Sequence, residues 1–165
     1  MSNVWFGSDF HFGHKRIAEF RKGMPWFDNE ESHREWLIEE CNKVLTKRDV
    51  LYLLGDIVFH PEYLNSVSRL ECDKKILIKG NHDIVNSNEL LEVFDEVHGL
   101  IKYKHFWLSH PPIHPMELRG KVNLHGHTHN VNMEGNQYLN CCVENLMKIV
   151  GRPLISLDEV RNRNV

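Results

Sequence analysis

Two stretches, DVLYLLGD (residues 49 to 56) and KKILIKGNHD (residues 74 to 83), constrain the fold more than anything else in the chain: each is an apolar run stopped by glycine and then by an acid or amide. Runs without polar alternation suit strands buried on both faces, as in α/β sheets. Between them, PEYLNSVSRL is a short helix candidate with proline in its first turn. Strand, helix and strand in that order predict parallel pairing through a right-handed crossover. Val4 to Gly7 repeats the design and ends in SDFHFGH, and Glu30 to Leu45 carries Trp36, Leu37, Cys41, Val44 and Leu45 at helical spacing over a glutamate-rich face. The first half is therefore an α/β unit whose unusual polar residues fall at strand C-terminal ends, where such sheets bind ligands.

From Glu96 onward, EVHGLIKY, KHFWLSH, KVNLHGHTHN, NQYLNCCVE and PLISLDEV read as successive strands with little room for helices. They predict a more antiparallel second sheet and a closing helix from about Asp158. With 165 residues and no linker or repeat, a single domain over residues 1–165 is expected. A chain of that size can bury roughly 70% of its unfolded surface without structural staples.

Cys41, Cys72, Cys141 and Cys142 form no CxxC pair and are expected to be reduced core residues. The start of the chain lacks a basic segment before an apolar stretch, and no run approaches a membrane span, so a soluble cytoplasmic protein with no membrane or protein partner is expected. The net charge of −3 gives no general attraction for nucleic acid, so an anionic substrate needs local positive charge.

Five stretches place metal-capable side chains directly after apolar runs: Asp9 and His11 in SDFHFGH, Asp56 in LLGDI, Asn81 and His82 in KGNHD, His110 in WLSHPP, and His127 and His129 in HGHTH. Singly, a Gly-Asp is usually a turn and a strand-end histidine usually makes one hydrogen bond. A chance GNHD in a chain of this length is on the order of one in a thousand, and here it stands in order with the other four.

Together these stretches resemble the calcineurin-like metallophosphoesterase superfamily, whose signature runs D-x-H, G-D, G-N-H-D/E, H and G-H-x-H. The DxHFGH opening and NCCVENLMKIVGRPLISLDEV resemble small bacterial and phage members. The resemblance implies a four-layer α/β/β/α sandwich with two mixed sheets and two adjacent metal sites. Asp9, His11 and His129 would hold one divalent ion, Asn81, His110 and His127 the other, and Asp56 would bridge both. Oxygen and imidazole donors suit Mn²⁺ first, with Fe, Zn²⁺ or Ni²⁺ as alternatives. A hydroxide held between the ions would attack the phosphorus. His82 would assist the leaving group with Asp83 holding its imidazole, and His14 and Asn81 would face the substrate.

The expected activity is that of a phosphodiesterase on nucleotides or nucleic-acid ends. Arginines that the phosphoprotein and dinucleoside branches carry after the second and third motifs are replaced here by GDIVFHP and GNHDIVN. The alternatives are a phosphomonoesterase, a nucleotide pyrophosphatase, or a non-catalytic metal-binding interaction module. A metallo-β-lactamase reading of HGHTHN fails because His129 and Asn130 stand where that motif needs acid and histidine, and a closed structural zinc site would use cysteine.

Alternation along a strand would point His125, His127 and His129 to one side, whereas the resemblance makes only the last two ligands. Arg119 and Lys121 are weaker candidates for a distal phosphate and His60 for the cleft mouth, while His33, His98, His105 and His114 have no informative spacing.

Overall fold

The computed structural model describes residues 2–24 and 27–163. In chain order the first half holds β1 (Val4–Gly7), α1 (Ile17–Phe20), α2 (Glu30–Asn42), β2 (Val50–Leu53), a 3-10 turn (Pro61–Tyr63) running into α3 (Leu64–Ser68), β3 (Lys74–Ile78) and α4 (Ser87–Leu90). The second half holds β4 (Glu96–His98), β5 (Leu100–Tyr103), β6 (Phe106–Ser109), α5 (Pro115–Leu118), β7 (Val122–His125), β8 (Tyr138–Asn140), α6 (Val143–Ile149), β9 (Ile155–Ser156) and α7 (Leu157–Asn162). They form an α/β protein with two mixed sheets, ordered β4-β3-β2-β1-β9 and β5-β6-β7-β8.

The first sheet follows from the apolar runs. β1, β2, β3 and β4 pair in parallel, and β9 adds to the free edge of β1 in the antiparallel sense. Successive side chains face opposite sides of a strand, and both sides are buried here. Trp5, Leu51, Leu53 and Leu77 pack with Leu37, Ile38, Cys41 and Val67 of the helices. Phe6, Tyr52, Leu54, Ile76 and Ile78 pack instead with Phe106, Leu108, Val122 and Leu124 of the second sheet. One sheet thus serves two cores, which is why its strands show no polar alternation. The helix on the outer side starts at Asn29, whose side chain accepts from Ser32 N while Ser32 Oγ accepts from Asn29 N, a reciprocal cap that satisfies two otherwise orphaned donors.

The second half departs from expectation in three ways. Within the second sheet only β5 and β6 pair antiparallel, whereas β6–β7 and β7–β8 are parallel, because the segments 110–121 and 126–137 are long enough to return the chain to the same end. The run EVHGLIKY is two strands, split at Gly99, that belong to different sheets. Helices also interrupt the expected strands: NQYLNCCVE ends its strand at Asn140 and enters α6, whose Val143, Leu146 and Met147 recur at helical spacing. The closing helix is present, starting one residue before Asp158 behind a Ser156/Glu159 capping box.

Candidate metal centre

Parallel register brings the polar strand ends to one edge. Gly7 pairs with Leu53 and Leu53 with Leu77, so Ser8-Asp9, Gly55-Asp56 and Gly80-Asn81 emerge side by side. In the second sheet Ser109 pairs with His125 and His125 with Asn140, which sends His110, His127 and Cys142 out of the same end. A bridge between Ser8 and Cys142 ties the two edges together.

The candidate ligands gather there as two trios, Asp9 with His11 and His129, and Asp56 with His110 and His127. Asp9 Oδ1 lies 3.4 Å from His11 Nε2 and 3.6 Å from His129 Nε2. Asp56 Oδ2 lies 3.3 Å from His110 Nε2. Asn81 Oδ1 is 3.0 Å from both His110 Nε2 and His127 Nδ1, and those two nitrogens are 3.2 Å apart. A single proton between facing imidazole nitrogens and an amide oxygen serves one contact at a time, whereas a divalent cation accepts every lone pair. The donors present therefore fit a metal. The second trio gains Asn81 as a further donor.

The backbone is bent to achieve this. Asp9 (φ 60°), His11 (56°), Asp56 (54°), His127 (71°) and His129 (49°) are left-handed, leaving only Lys104 and Arg119 as other non-glycine cases among the described residues. Each costs on the order of 1 kcal/mol and persists only where its surroundings enforce it. Glycines make the close approaches: a Cβ on Gly126 would sit 2.0 Å from Ser8 Oγ and 2.4 Å from Asp9 Oδ2, and one on Gly80 would sit 2.2 Å from Asp56 Oδ1.

Partners behind the trios fix which oxygen faces the centre. Asp9 Oδ2 accepts from Ser8 Oγ at 2.6 Å, His127 N at 2.9 Å and Cys142 Sγ at 3.1 Å, leaving Oδ1 for the histidines. Burial pushes the Asp9 carboxyl up, but the hydrogen bond and charge of His11, with His110 and Ser8, outweigh it and hold the group well below the usual range. His129 Nδ1 donates to Glu144 Oε1 at 3.0 Å, which turns Nε2 toward Asp9. That oxygen also accepts from Arg21 Nε at 2.9 Å. Burial raises the Glu144 carboxyl, and the charges and hydrogen bonds of Arg21 and His129 overcome it, pulling the group down to about 2. Arg21 is itself buried; its guanidinium also reaches His33 Nε2 at 2.8 Å and the carbonyl of Asp9. Glu144 raises the affinity of His129 for a proton, and Asp56 does so for His110 against the cost of burial.

Other predicted residues divide. His82 stands half-exposed at the rim, its Nε2 4.0 Å from Asp56 Oδ2 and its ring stacked on Phe59 at 4.8 Å. Asp83 does not hold that ring. Its carboxylate accepts from Asp56 N, Ile57 N, Val58 N and Gly80 N at 2.8 to 3.0 Å, so it is spent on the two loops that carry Asp56 and Asn81. His14 packs edge-on against Phe59 and lines a cleft of about 380 Å³ over the first trio with His11, His82 and His129.

His125 ends β7, fully buried with Nδ1 donating to Gly126 O, whereas His127 and His129 lie beyond it in left-handed turns; strand alternation therefore does not relate the three. His60 stands just before the 3-10 turn without a side-chain hydrogen bond to it, and Arg119 pairs with Glu117. The sequence reading missed Arg21, Glu144, Cys142, His33 and Phe59. Their identities match no ligand spacing, and only a long-range contact between α1, α2 and α6 brings Arg21, His33 and Glu144 together.

No family model matches the chain. The Gene 66 protein of Mycobacterium phage L5 is 39% identical over 88 residues, half of this chain and 41% of that protein, so the chain spans about two-fifths of the length of that phage relative. An uncharacterised protein of Methanocaldococcus jannaschii is 27% identical over 147 residues, 85% of this chain and 77% of its own. A crystal structure of a protein of unknown function from Aquifex aeolicus superposes with a TM-score of 0.74 at 28% identity, covering 98% of this chain and 99% of that one.

Proposed function

We propose that this protein is a dinuclear metal-dependent phosphodiesterase acting on nucleotide-type phosphodiesters, built on the four-layer α/β/β/α sandwich of the calcineurin-like metallophosphoesterases that its motifs resemble. The observation that carries the reading is the convergence of seven oxygen and imidazole donors, from five separate strand ends, into two adjoining sets on a strained backbone. Asp9, His11 and His129 would hold one ion, and Asp56, His110, His127 and Asn81 the other, with Mn²⁺ the first choice for such donors and Fe, Zn²⁺ or Ni²⁺ the alternatives. Bound there, divalent ions supply positive charge and Lewis acidity to a phosphate group that this acidic chain otherwise repels.

The side chains supply the rest. His82, stacked on Phe59 and open to solvent on its other face, is placed to give a proton to the departing oxygen. His14 faces the substrate from the cleft wall, and Asn81, with its carbonyl turned inward, offers its amide N–H groups to a phosphate oxygen. Among the residues lining the cleft no guanidinium is exposed, since Arg21 lies buried behind it, which favours a singly charged diester over a dianionic monoester. A reducing cytoplasmic setting belongs to the same reading, because all four cysteines are free and Cys142 must remain a thiol to donate to Asp9.

Hydrolysis of bis(p-nitrophenyl) phosphate and p-nitrophenyl phosphate, with and without Mn²⁺ and with metal content measured on the same protein, tests the reading. The diester should turn over faster, and His82→Ala should keep two ions while kcat falls by about 100-fold or more. A monoester preference would indicate a phosphomonoesterase. Two bound ions with no hydrolysis across a broad ester panel would indicate a binding module.

A further inference from the structure

The cleft over the first trio continues past Asn130. Phe20, Asn130 and Glu144 line it and also line a second hollow of about 500 Å³, walled further by Met24, Met147, Lys22 and Lys148. Phe20 leaves 63% of its surface exposed, an unusual state for so large an aromatic ring. His14 meets its edge and the Arg16 guanidinium lies 5.2 Å from its centroid. Lys148 Nζ donates to Asn130 Oδ1 at 2.8 Å, which sets an ammonium one residue from His129 and leaves it two further donors. The acid in the wall, Glu144, is already paired with Arg21 and His129. In a chain of net charge −3 this hollow therefore combines local positive charge with an aromatic and thioether floor.

We propose that the second hollow is a binding site for the nucleotide adjoining the scissile phosphodiester, so that the ligand is single-stranded nucleic acid rather than a lone nucleotide; this rests on the phosphodiesterase reading. A base stacks on Phe20 against the methionines, a contact open to any base because each has a π-face. The neighbouring phosphate meets Lys148 and Lys22. Each hollow falls within the size of a small-ligand pocket, and together they suit consecutive nucleotides.

Fluorescence anisotropy with end-labelled dT8 and rU8, on the metal-loaded full chain over a salt series, tests the site. Both exposed positions tolerate truncation, so Phe20→Ala should weaken binding roughly tenfold. Lys148→Ala should weaken it and lower the slope of log K against log salt by about 0.7. Arg119→Ala, which lines neither hollow, should bind as the parent does. The ratio of dT8 to rU8 affinity assigns DNA or RNA. Failure of both oligonucleotides to bind, or binding indifferent to Phe20→Ala and Lys148→Ala, overturns the site. The chromogenic diester separates the two ideas: cleavage with indifferent oligonucleotide binding removes only the second hollow, whereas oligonucleotide binding sensitive to these substitutions without any cleavage removes only the phosphodiesterase.

Discussion

Glu144 is the residue on which the first trio depends most without contributing to it. It takes the Nδ1 proton of His129 and is held in turn by Arg21, so His129 presents Nε2 to Asp9 in one tautomer. Partners of this kind typically govern metal affinity by 10- to 100-fold. Glu144→Gln keeps the shape and removes the charge; titration with Mn²⁺ followed by calorimetry should show one of two sites weakened roughly 10- to 100-fold and the other unchanged. Two unchanged sites would show that Glu144 serves packing alone. Residue by residue, the seven candidate ligands were legible in the sequence because each follows an apolar run. Glu144 and Arg21 were not, since a glutamate in VENL and an arginine in FRKG look like surface residues until α1 and α6 bring them together and bury both.

At the scale of elements, Asp83 couples two loops. Its two oxygens take four backbone donors, from the turn after β2 and the turn after β3, and so set the spacing between Asp56 and Asn81. Asp83→Asn would turn an amide NH₂ toward two of these buried N–H groups, leaving them without an acceptor. The expected loss is about 3 kcal/mol, read as a lower urea midpoint with an unchanged m-value. A change under about 1 kcal/mol would mean that the loops hold themselves. Strands β1, β2 and β3 of the first sheet were predictable because a buried parallel strand needs an unbroken apolar run. Those of the second half were less so. Local pattern cannot reveal strand direction, and EVHGLIKY reads as one strand although its two halves, either side of Gly99, pair in different sheets.

For the molecule as a whole, binding energy and strain are linked. Two ions at 100 times their dissociation constants should each stabilise the native state by about 2.7 kcal/mol. At roughly 2 to 4 °C per kcal/mol for a chain of this size, Mn²⁺ should raise Tm by about 5 to 10 °C per ion, and a chelator should reverse it. A calorimetric scan without such a shift would argue against native metal sites. Acid should also destabilise the fold through His33. Burial, with the charge of Arg21, pushes this imidazole down to about 2, so it stays neutral in the folded state while the unfolded group protonates near 6.5. Its contribution is complete above pH 6.5 and declines as pH falls, by about 1.4 kcal/mol per unit. The parent should therefore lose about 2 kcal/mol more than His33→Gln between pH 6.5 and 5, measured by urea unfolding at each pH. Equal losses in both proteins would remove His33 from the account.

The sequence by itself determined which strands are buried on both faces and which side chains stand at their ends, because burial and turn chemistry are written in local residue order. Only the tertiary structure decided that β6 and β7 run parallel, that β9 closes the first sheet, and that Asp83 braces loops rather than His82. It also joined Arg21, His33 and Glu144 behind the trio and placed Phe20 beside Lys148. These pairings lie up to 151 positions apart in the chain, and contacts at that range are set by how whole elements pack, which no local pattern records.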